Sequence, residues 1–327
     1  MTGYIIRRLL LMIPTLAVIS IISFVVIELP PGDYVTIQVM QMEAQQVSPE
    51  TIENLRHQYG LDRPLHERYF RWVGNFVRGD FGYSLSWNKP VREMIGGRLG
   101  LTIVVSLSAL LFTWAIAIPI GAYAALRQYS IGDYLFTFVG FLGLSVPNFM
   151  LALILMFVAY KYMGISVGGL FSETYQSAAW SWGKVFDLLA HLWIPMIVVG
   201  TAGTAGLIRI VRANLLDELG KPYVVTARAK GLKEFKLLFK YPLKIAINPL
   251  VSSIGWLLPS LISGATITAV VLGLPTAGPL FLGALKRQDM QLAGAFVMLT
   301  SSLTVIGTLL SDILLAVIDP RIRYESR

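Results

Sequence analysis

Cysteine is absent from the chain, and His57, His66 and His191 are its only histidines. The first absence excludes disulfides, thiolate nucleophiles and cysteine metal sites. The histidines are too scattered for a metal-ligand set and are read as solvated or interfacial side chains. Charge is scarce as well, at 14% of residues against 55% apolar, and mean hydropathy is +0.65. Over 327 residues that composition excludes a soluble globular domain. No G-x-x-x-x-G-K-[ST] phosphate loop occurs, so nucleotide hydrolysis, if ATP drives the protein, belongs to another polypeptide.

Long apolar runs fill the sequence instead. Leu9 to Leu29 follows Arg7 and Arg8 and resembles a secretory signal, but the run extends for about 31 Å as a helix, and no small-residue cleavage site follows it. It is expected to be a first transmembrane helix, with the arginines holding the N-terminus in the cytoplasm. Leu101 to Leu126, Tyr134 to Tyr162, His191 to Ile210, Ile245 to Leu274 and Met290 to Ile318 supply five more spans. The fold expected is therefore all-α and polytopic. Pro147 and Asn148 place a kink or a pathway residue in the third span, with a kink expected; Pro249 and Pro259 predict kinks in the fifth. GTAGTAG, Gly200 to Gly206, is expected to interrupt the fourth span and to permit close helix approach.

Between the first two spans, Pro30 to Leu99 carries eight basic and eight acidic residues, a neutral loop that can be translocated. Ser48, Pro49 and Gly60 bracket an expected helix there. Gly164 to Ala190 forms a second outside loop, with Trp180, Trp182 and Trp193 as interfacial anchors, and PTAGPLFLGALKRQDM a third, with room for a short re-entrant or interfacial helix. Asp312 is the one acid well inside a span; Gly307, Thr308 and Ser311 stand near enough to satisfy it, and a structural role is expected over a proton relay. In this topology fifteen basic residues lie inside and twelve outside, and the inside segments are about two to three times denser in positive charge.

The largest polar island runs from Arg209 to Lys244. It holds nine basic residues against Asp217, Glu218 and Glu234. Such loops are ordinary cytoplasmic anchors that attract anionic lipid. Here, however, Pro222 fits the first position of a short helix and Gly231 the left-handed residue that ends one, which predicts helix, glycine turn, helix. After the glycine, Leu232, Phe235, Leu238 and Phe239 are spaced as an apolar stripe beside Lys233, Lys236 and Lys240.

VTARAKG, Val225 to Gly231, resembles the E-A-A-x-x-x-G segment of ABC importer permeases, and LKIAINPL, Leu243 to Leu250, continues as that loop does. The similarity is closest to the oligopeptide and dipeptide branch, whose loop commonly reads T-A-R-A-K-G-L, here Thr226 to Leu232. Tyr59 to Val91, with RGDFGYS at Arg78 to Ser84, resembles that branch's N-terminal region; S-x-P-x-F at Ser145 to Phe149 and DPRIR near the end are also similar. The chain departs from the pattern at Val225, which takes the family's glutamate position, at Tyr241 and Lys244, which take its later isoleucine and proline positions, and at Tyr34, where P-G-D-P would end in proline.

The resemblance implies a type I ABC importer permease in a bacterial inner membrane, both termini cytoplasmic, with an extracytoplasmic N-terminal insertion. Residues 1–100 would hold the first helix and that insertion, 101–318 a five-helix core with the coupling loop 209–244, and 319–327 a cytoplasmic tail. The implied partners are a second homologous permease, two cytoplasmic ATPase subunits that bind ATP and Mg²⁺, and an extracytoplasmic solute-binding protein. The membrane suffices for the net charge of +8, so no nucleic acid is expected, and the chain itself has no catalytic residue, metal or cofactor. The implied ATPase-coupling residues are Tyr223, Thr226, Ala227, Arg228, Ala229, Lys230, Gly231 and Leu232. Ala227 and Ala229 would permit close approach, and Arg228 and Lys230 would pair with ATPase acids or face phospholipid. On this basis Ala227→Arg and Gly231→Pro should uncouple transport without preventing insertion. Oligopeptides or dipeptides are the solutes implied, with oligosaccharides and opines as alternatives. Two further classes remain, an ion-coupled secondary transporter, for which Asp312 is the one candidate carboxylate and no repeat is visible, and a membrane scaffold that uses the loop only to bind a partner.

Overall fold

A computed structural model describes residues 2–29, 50, 53–54, 57, 62–84, 86–165, 168–252, 254 and 266–318. The expected caps at Ser48, Pro49 and Gly60, the Pro31 to Tyr34 departure, Pro259 and the DPRIR ending lie outside these residues, as does much of the expected fifth span. In chain order the elements are α1 (Thr2–Glu28), α2 (Leu65–Val77), β1 (Tyr83–Ser84), β2 (Lys89–Pro90), α3 (Val91–Leu126), α4 (Ile131–Ser145), α5 (Asn148–Met163) and α6 (Glu173–Gln176). They continue with α7 (Trp182–Leu219), α8 (Pro222–Ala229), α9 (Glu234–Lys240), α10 (Pro242–Ala246), α11 (Thr266–Val271), α12 (Ala277–Lys286) and α13 (Met290–Ile318). Among the described residues the fold is all-α apart from β1 and β2, an antiparallel pair in which Tyr83 faces Pro90.

Among the described residues, α1, α3, α7 and α13 are long and apolar enough to cross a membrane, and α4 with α5 make a fifth crossing if counted as one bent span. On α1, Leu10, Leu11, Ile13, Val18, Ile21 and Ile22 are each half exposed or more. In water such a band would associate, whereas hydrocarbon accepts it because the helix satisfies its own backbone.

The expected kinked span from Tyr134 to Tyr162 is instead two helices. The axes of α4 and α5 meet at 100°. Proline restricts the residue before it to extended backbone, and Val146 is extended, at φ −87 and ψ 120. Pro147 then precedes α5, and its carbonyl accepts from the N–H groups of Met150 and Leu151. Asn148 is thus the first residue of a helix rather than a polar group within one.

GTAGTAG does not interrupt its span either, because α7 runs unbroken from Trp182 to Leu219. Its small residues serve packing. A Cβ at Gly200 would stand 2.6 Å from the Phe112 ring of α3, and Thr113 Oγ1 donates to the Gly200 carbonyl at 2.9 Å.

By its contacts the chain divides into one unit of residues 10–99 with 280–305, and another of 1–9 with 100–279 and 306–327. In the first, α2 lies along α1: Arg68 pairs with Glu28 at 2.7 Å, Tyr69 hydrogen-bonds Ser20, and the Phe24 ring meets Tyr69 edge-on. RGDFGYS forms a tight turn with Gly79 and Gly82 at positive φ and the Asp80 carboxylate accepting from Gly82 N–H. Ser84 Oγ donates to buried Asp289, which also accepts from Leu292 N–H and so caps α13. In the second unit, Val105, Ala152, Leu188, Leu192, Ile194, Val198 and Leu272 build the largest core, drawn from α3, α5 and α7 with the segment after α11.

Candidate coupling site

The site is built where α7 ends. Arg209 and Arg212, assigned above to a loop, are in the last turns of that helix: Arg209 lies over the Phe141 ring, and Arg212 pairs with Asp133. Gly220 and Lys221 turn the chain, and extended Lys221 lets Pro222 occupy the first turn of α8, where its missing N–H costs nothing. The helix lasts eight residues. Gly231, at φ +80, closes it, donating its N–H to the Arg228 carbonyl at 2.9 Å, and Lys233 leads into α9. A five-residue helix, α10, then leads back along α7, where Asn214 approaches the Ala246 carbonyl.

One small core fixes α8 against α9. Val224, Ala227 and Leu237 are buried together, with Tyr223, Leu232 and Tyr241 packed around them. Tyr223 donates its hydroxyl to the Glu218 carboxylate, which ties α8 back to the end of α7. Arg228 Nε and Nη2 hold the two oxygens of Glu234 at 2.6 and 3.2 Å across the glycine turn. That hydrogen-bonded pair lowers the Glu234 carboxyl below its ordinary range and raises the Arg228 guanidinium.

Burial divides the eight expected coupling residues. Ala227 faces inward and Tyr223 and Leu232 are half-buried, whereas Thr226, Arg228, Ala229, Lys230 and Gly231 are exposed. Ala227 therefore gives close approach to this chain's own Leu237, not to a partner, and Ala227→Arg would break the local core. On α8, Pro222, Val225, Thr226 and Ala229 form the exposed arc opposite Val224 and Ala227, at three- and four-residue spacing. Val225, standing where the family pattern has glutamate, is an apolar part of that arc.

The expected apolar stripe of α9 also resolves differently. Leu237 and Leu238 are buried, while Phe235 and Phe239 face outward with ring centroids 4.6 Å apart. The buried pair must point at both α8 and the α7–α10 cluster, which the spacing of Phe235 with Phe239 concealed.

In the spans, Asp312 meets Arg8 of α1 at 3.0 Å. Ser311, expected beside it, instead donates to the Val251 carbonyl. Neither the Arg8–Asp312 pair nor the Asp133–Arg212 and Arg228–Glu234 pairs was visible in the sequence, because their partners are not at helical spacing. Among the described residues there is no group of three or more His, Asp or Glu side chains that could hold a metal.

Residues 117–324 match the family model described as binding-protein-dependent transport system inner membrane component, and residues 1–108 match that of its N-terminal region. The chain is 39% identical over 326 residues to the oligopeptide transport system permease protein AppB of Bacillus subtilis, covering 99% of this chain and all of that one. It is 31% identical over 341 residues to the dipeptide transport system permease protein DppB of Escherichia coli K12, with coverage of 99% and 100%. It is also 31% identical over 329 residues to the oligopeptide transport system permease protein OppB of Mycobacterium bovis, with the same coverage.

Proposed function

Since the chain belongs to the family of binding-protein-dependent transport system inner membrane components, we propose that it forms the membrane pathway of an oligopeptide or dipeptide importer and that α8 is the element its ATPase moves. A permease of this family works with a solute-binding protein and leaves ATP hydrolysis to separate subunits. The full assembly is a second homologous permease, two ATPase subunits holding ATP and Mg²⁺, and one extracytoplasmic solute-binding protein. The chain crosses the membrane six times with both termini cytoplasmic; residues 1–100 carry the first span and the outside region, 101–318 the core, and 319–327 the tail. Full-length identity to permeases whose names specify oligopeptides and dipeptides supports the solute class.

The observation that carries the coupling role is the division of α8 into two faces. Val224 and Ala227 seat the helix on α9, so a push on α8 is delivered to a packed unit rather than to a free loop. Pro222, Val225, Thr226 and Ala229 remain outward, with no long charged side chain among them. Short side chains permit a partner's cleft to close on the helix, and Arg228, Lys230 and Gly231 flank that contact. Binding of ATP closes the ATPase pair, moves α8 and switches the pathway between inward- and outward-open states. Solute then crosses between the two permeases by alternating access.

Affinity capture from the native membrane, with mass spectrometry of every chain and of any solute retained by the binding protein, tests this assembly. A second permease, ATPase subunits and bound peptides are expected. Recovery of the chain alone, with uptake indifferent to ATP, would remove the proposal, and a retained sugar would remove the solute class.

A further inference from the structure

We propose that Asp133 and Arg212 are positioning residues for transport, whose clamp makes α4 part of the arm that α8 moves, so that the break at Pro147 is the hinge of the stroke. The proposal rests on the coupling role of α8 given above. Asp133 is buried in the first turn of α4. Its Oδ1 accepts from Arg212 Nε at 3.2 Å, and its Oδ2 accepts from Arg212 Nη2 at 2.9 Å and from Tyr129 N–H at 3.0 Å. A forked arginine contact fixes orientation as well as distance. Removing one partner of a buried pair leaves the other uncompensated, so the two helices are held firmly at this point.

The clamp sits at the foot of a continuous contact. Farther along α4, a Cβ at Gly140 would meet Ala205 at 3.1 Å and one at Gly143 would meet Thr201 at 3.0 Å. Arg209 covers the Phe141 ring. The contact thus runs along α7 from Thr201 to Arg212, the half that leads to α8. At its lower end the same half of α7 is packed into the cytoplasmic helices, because Leu215 shares a core with Leu238, Leu243 and Ala246.

Beyond Pro147 the attachment changes. Ala152 and Ala159 of α5 belong to the core of Leu188, Leu192, Ile194 and Val198, on the other half of α7. Pro195 lies in α7 shortly before the α4 contact begins at Thr201. Proline frees a helix carbonyl, so this is where α7 yields most readily. A displacement of α8 would carry α9, α10, lower α7, the end of α3 packed on it and α4 together. The angle between α4 and α5 would then change, and with it the wall those helices present.

Because the chain has no cysteine, spin labels can be placed on it singly or in pairs, in a complex whose partner chains have had their own cysteines replaced. Tyr134 of α4, Lys236 of α9 and Phe157 of α5 are exposed positions outside the α8 arc. With Tyr134→Cys and Lys236→Cys, the inter-label distance is expected to stay the same between the nucleotide-free and the ATP–vanadate-trapped complex. With Tyr134→Cys and Phe157→Cys it is expected to shift. Adding Asp133→Asn, which retains an acceptor for Tyr129 N–H, should abolish the single fixed distance of the first pair. In the same variant, solute imported per ATP hydrolysed should fall about tenfold, a typical coupling loss, and the Asp133→Asn/Arg212→Gln double variant should lose no more than either single one.

A first-pair distance that shifts on trapping in the wild-type sequence would overturn the proposal, as would an unchanged narrow distance in Asp133→Asn. Failure of α8 as a coupling element is a separate result: no pair would respond to trapping, although the ATPase hydrolyses ATP. A parallel loss of uptake, ATP hydrolysis and protein from the membrane would mean that the pair only supports folding, and would overturn the proposal too.

Discussion

Gly231 shows most clearly what a single residue contributes to the site. No heavy atom lies within 4 Å of the Cβ it lacks, so only its φ of +80 demands glycine. Gly231→Ala is therefore expected to destabilise the loop by about 1–2 kcal/mol, the cost of placing an L-residue in the left-handed region, measurable as lowered thermal stability of the purified protein. Gly231→Pro should cost more, because proline cannot adopt that φ and removes the N–H given to Arg228. The Arg228–Glu234 pair adds a pH dependence. Glu234 has its folded-state carboxyl lowered by the arginine, so its contribution is present above the ordinary glutamate range and lost as pH falls through the lowered value. Wild-type protein should melt slightly above Glu234→Gln at neutral pH, and the difference should vanish in acid; an increasing difference in acid would refute the sign. Sequence alone located Gly231 by its role as a helix stop. It did not reveal Glu234 as the partner of Arg228, because a pair six residues apart meets only once the glycine has reversed the chain. Nor did it reveal that Ala227 is inward, since a small residue fits a tight core and a tight docking face equally well.

At the scale of elements, α3 and α7 are pressed together by glycine. A Cβ at Gly121 would stand 2.7 Å from Val211 and 2.9 Å from the Ile208 carbonyl, whereas one at Gly206 would meet nothing within 4 Å. Gly121→Val is expected to lose about 1–3 kcal/mol by overpacking, seen as a lower melting temperature in detergent. Gly206→Ala should be neutral or slightly stabilising through helix propensity. Equal effects at the two positions would contradict the packing. Apolar runs made the spans of α1, α3, α7 and α13 legible, since length and lack of charge suffice to mark a crossing helix. The break between α4 and α5 was legible only as a weaker event, a kink at Pro147. A helix with neighbours that restore its lost hydrogen bond can absorb proline; here Val146 becomes extended and the chain turns. The smooth course of α7 through Gly200 to Gly206 is the converse case, in which a close neighbour offsets poor propensity.

For the whole molecule, the exposed apolar side chains of α1, α4 and α5 fit hydrocarbon around the spans, and the basic residues gathered near α8 are the charge that the proposed orientation would place in the cytoplasm. Membrane class could be read from composition because nothing soluble tolerates that apolar surface. Partners and solute could not, since neither leaves a periodic trace in a single chain; motif order suggested them, and similarity over the full length supports them. Contact between the ATPase and the exposed Val225 and Ala229 face of α8 can be tested in the captured complex, using the absence of cysteine in this chain. Val225→Cys, Ala229→Cys and, as a control at the exposed start of α7, Phe186→Cys would each be treated with a short thiol-to-amine crosslinker. An adduct joining this chain to the ATPase is expected from Val225→Cys and Ala229→Cys and not from Phe186→Cys. No adduct from either α8 position while the ATPase co-purifies, or an equal one from Phe186→Cys, would contradict the account.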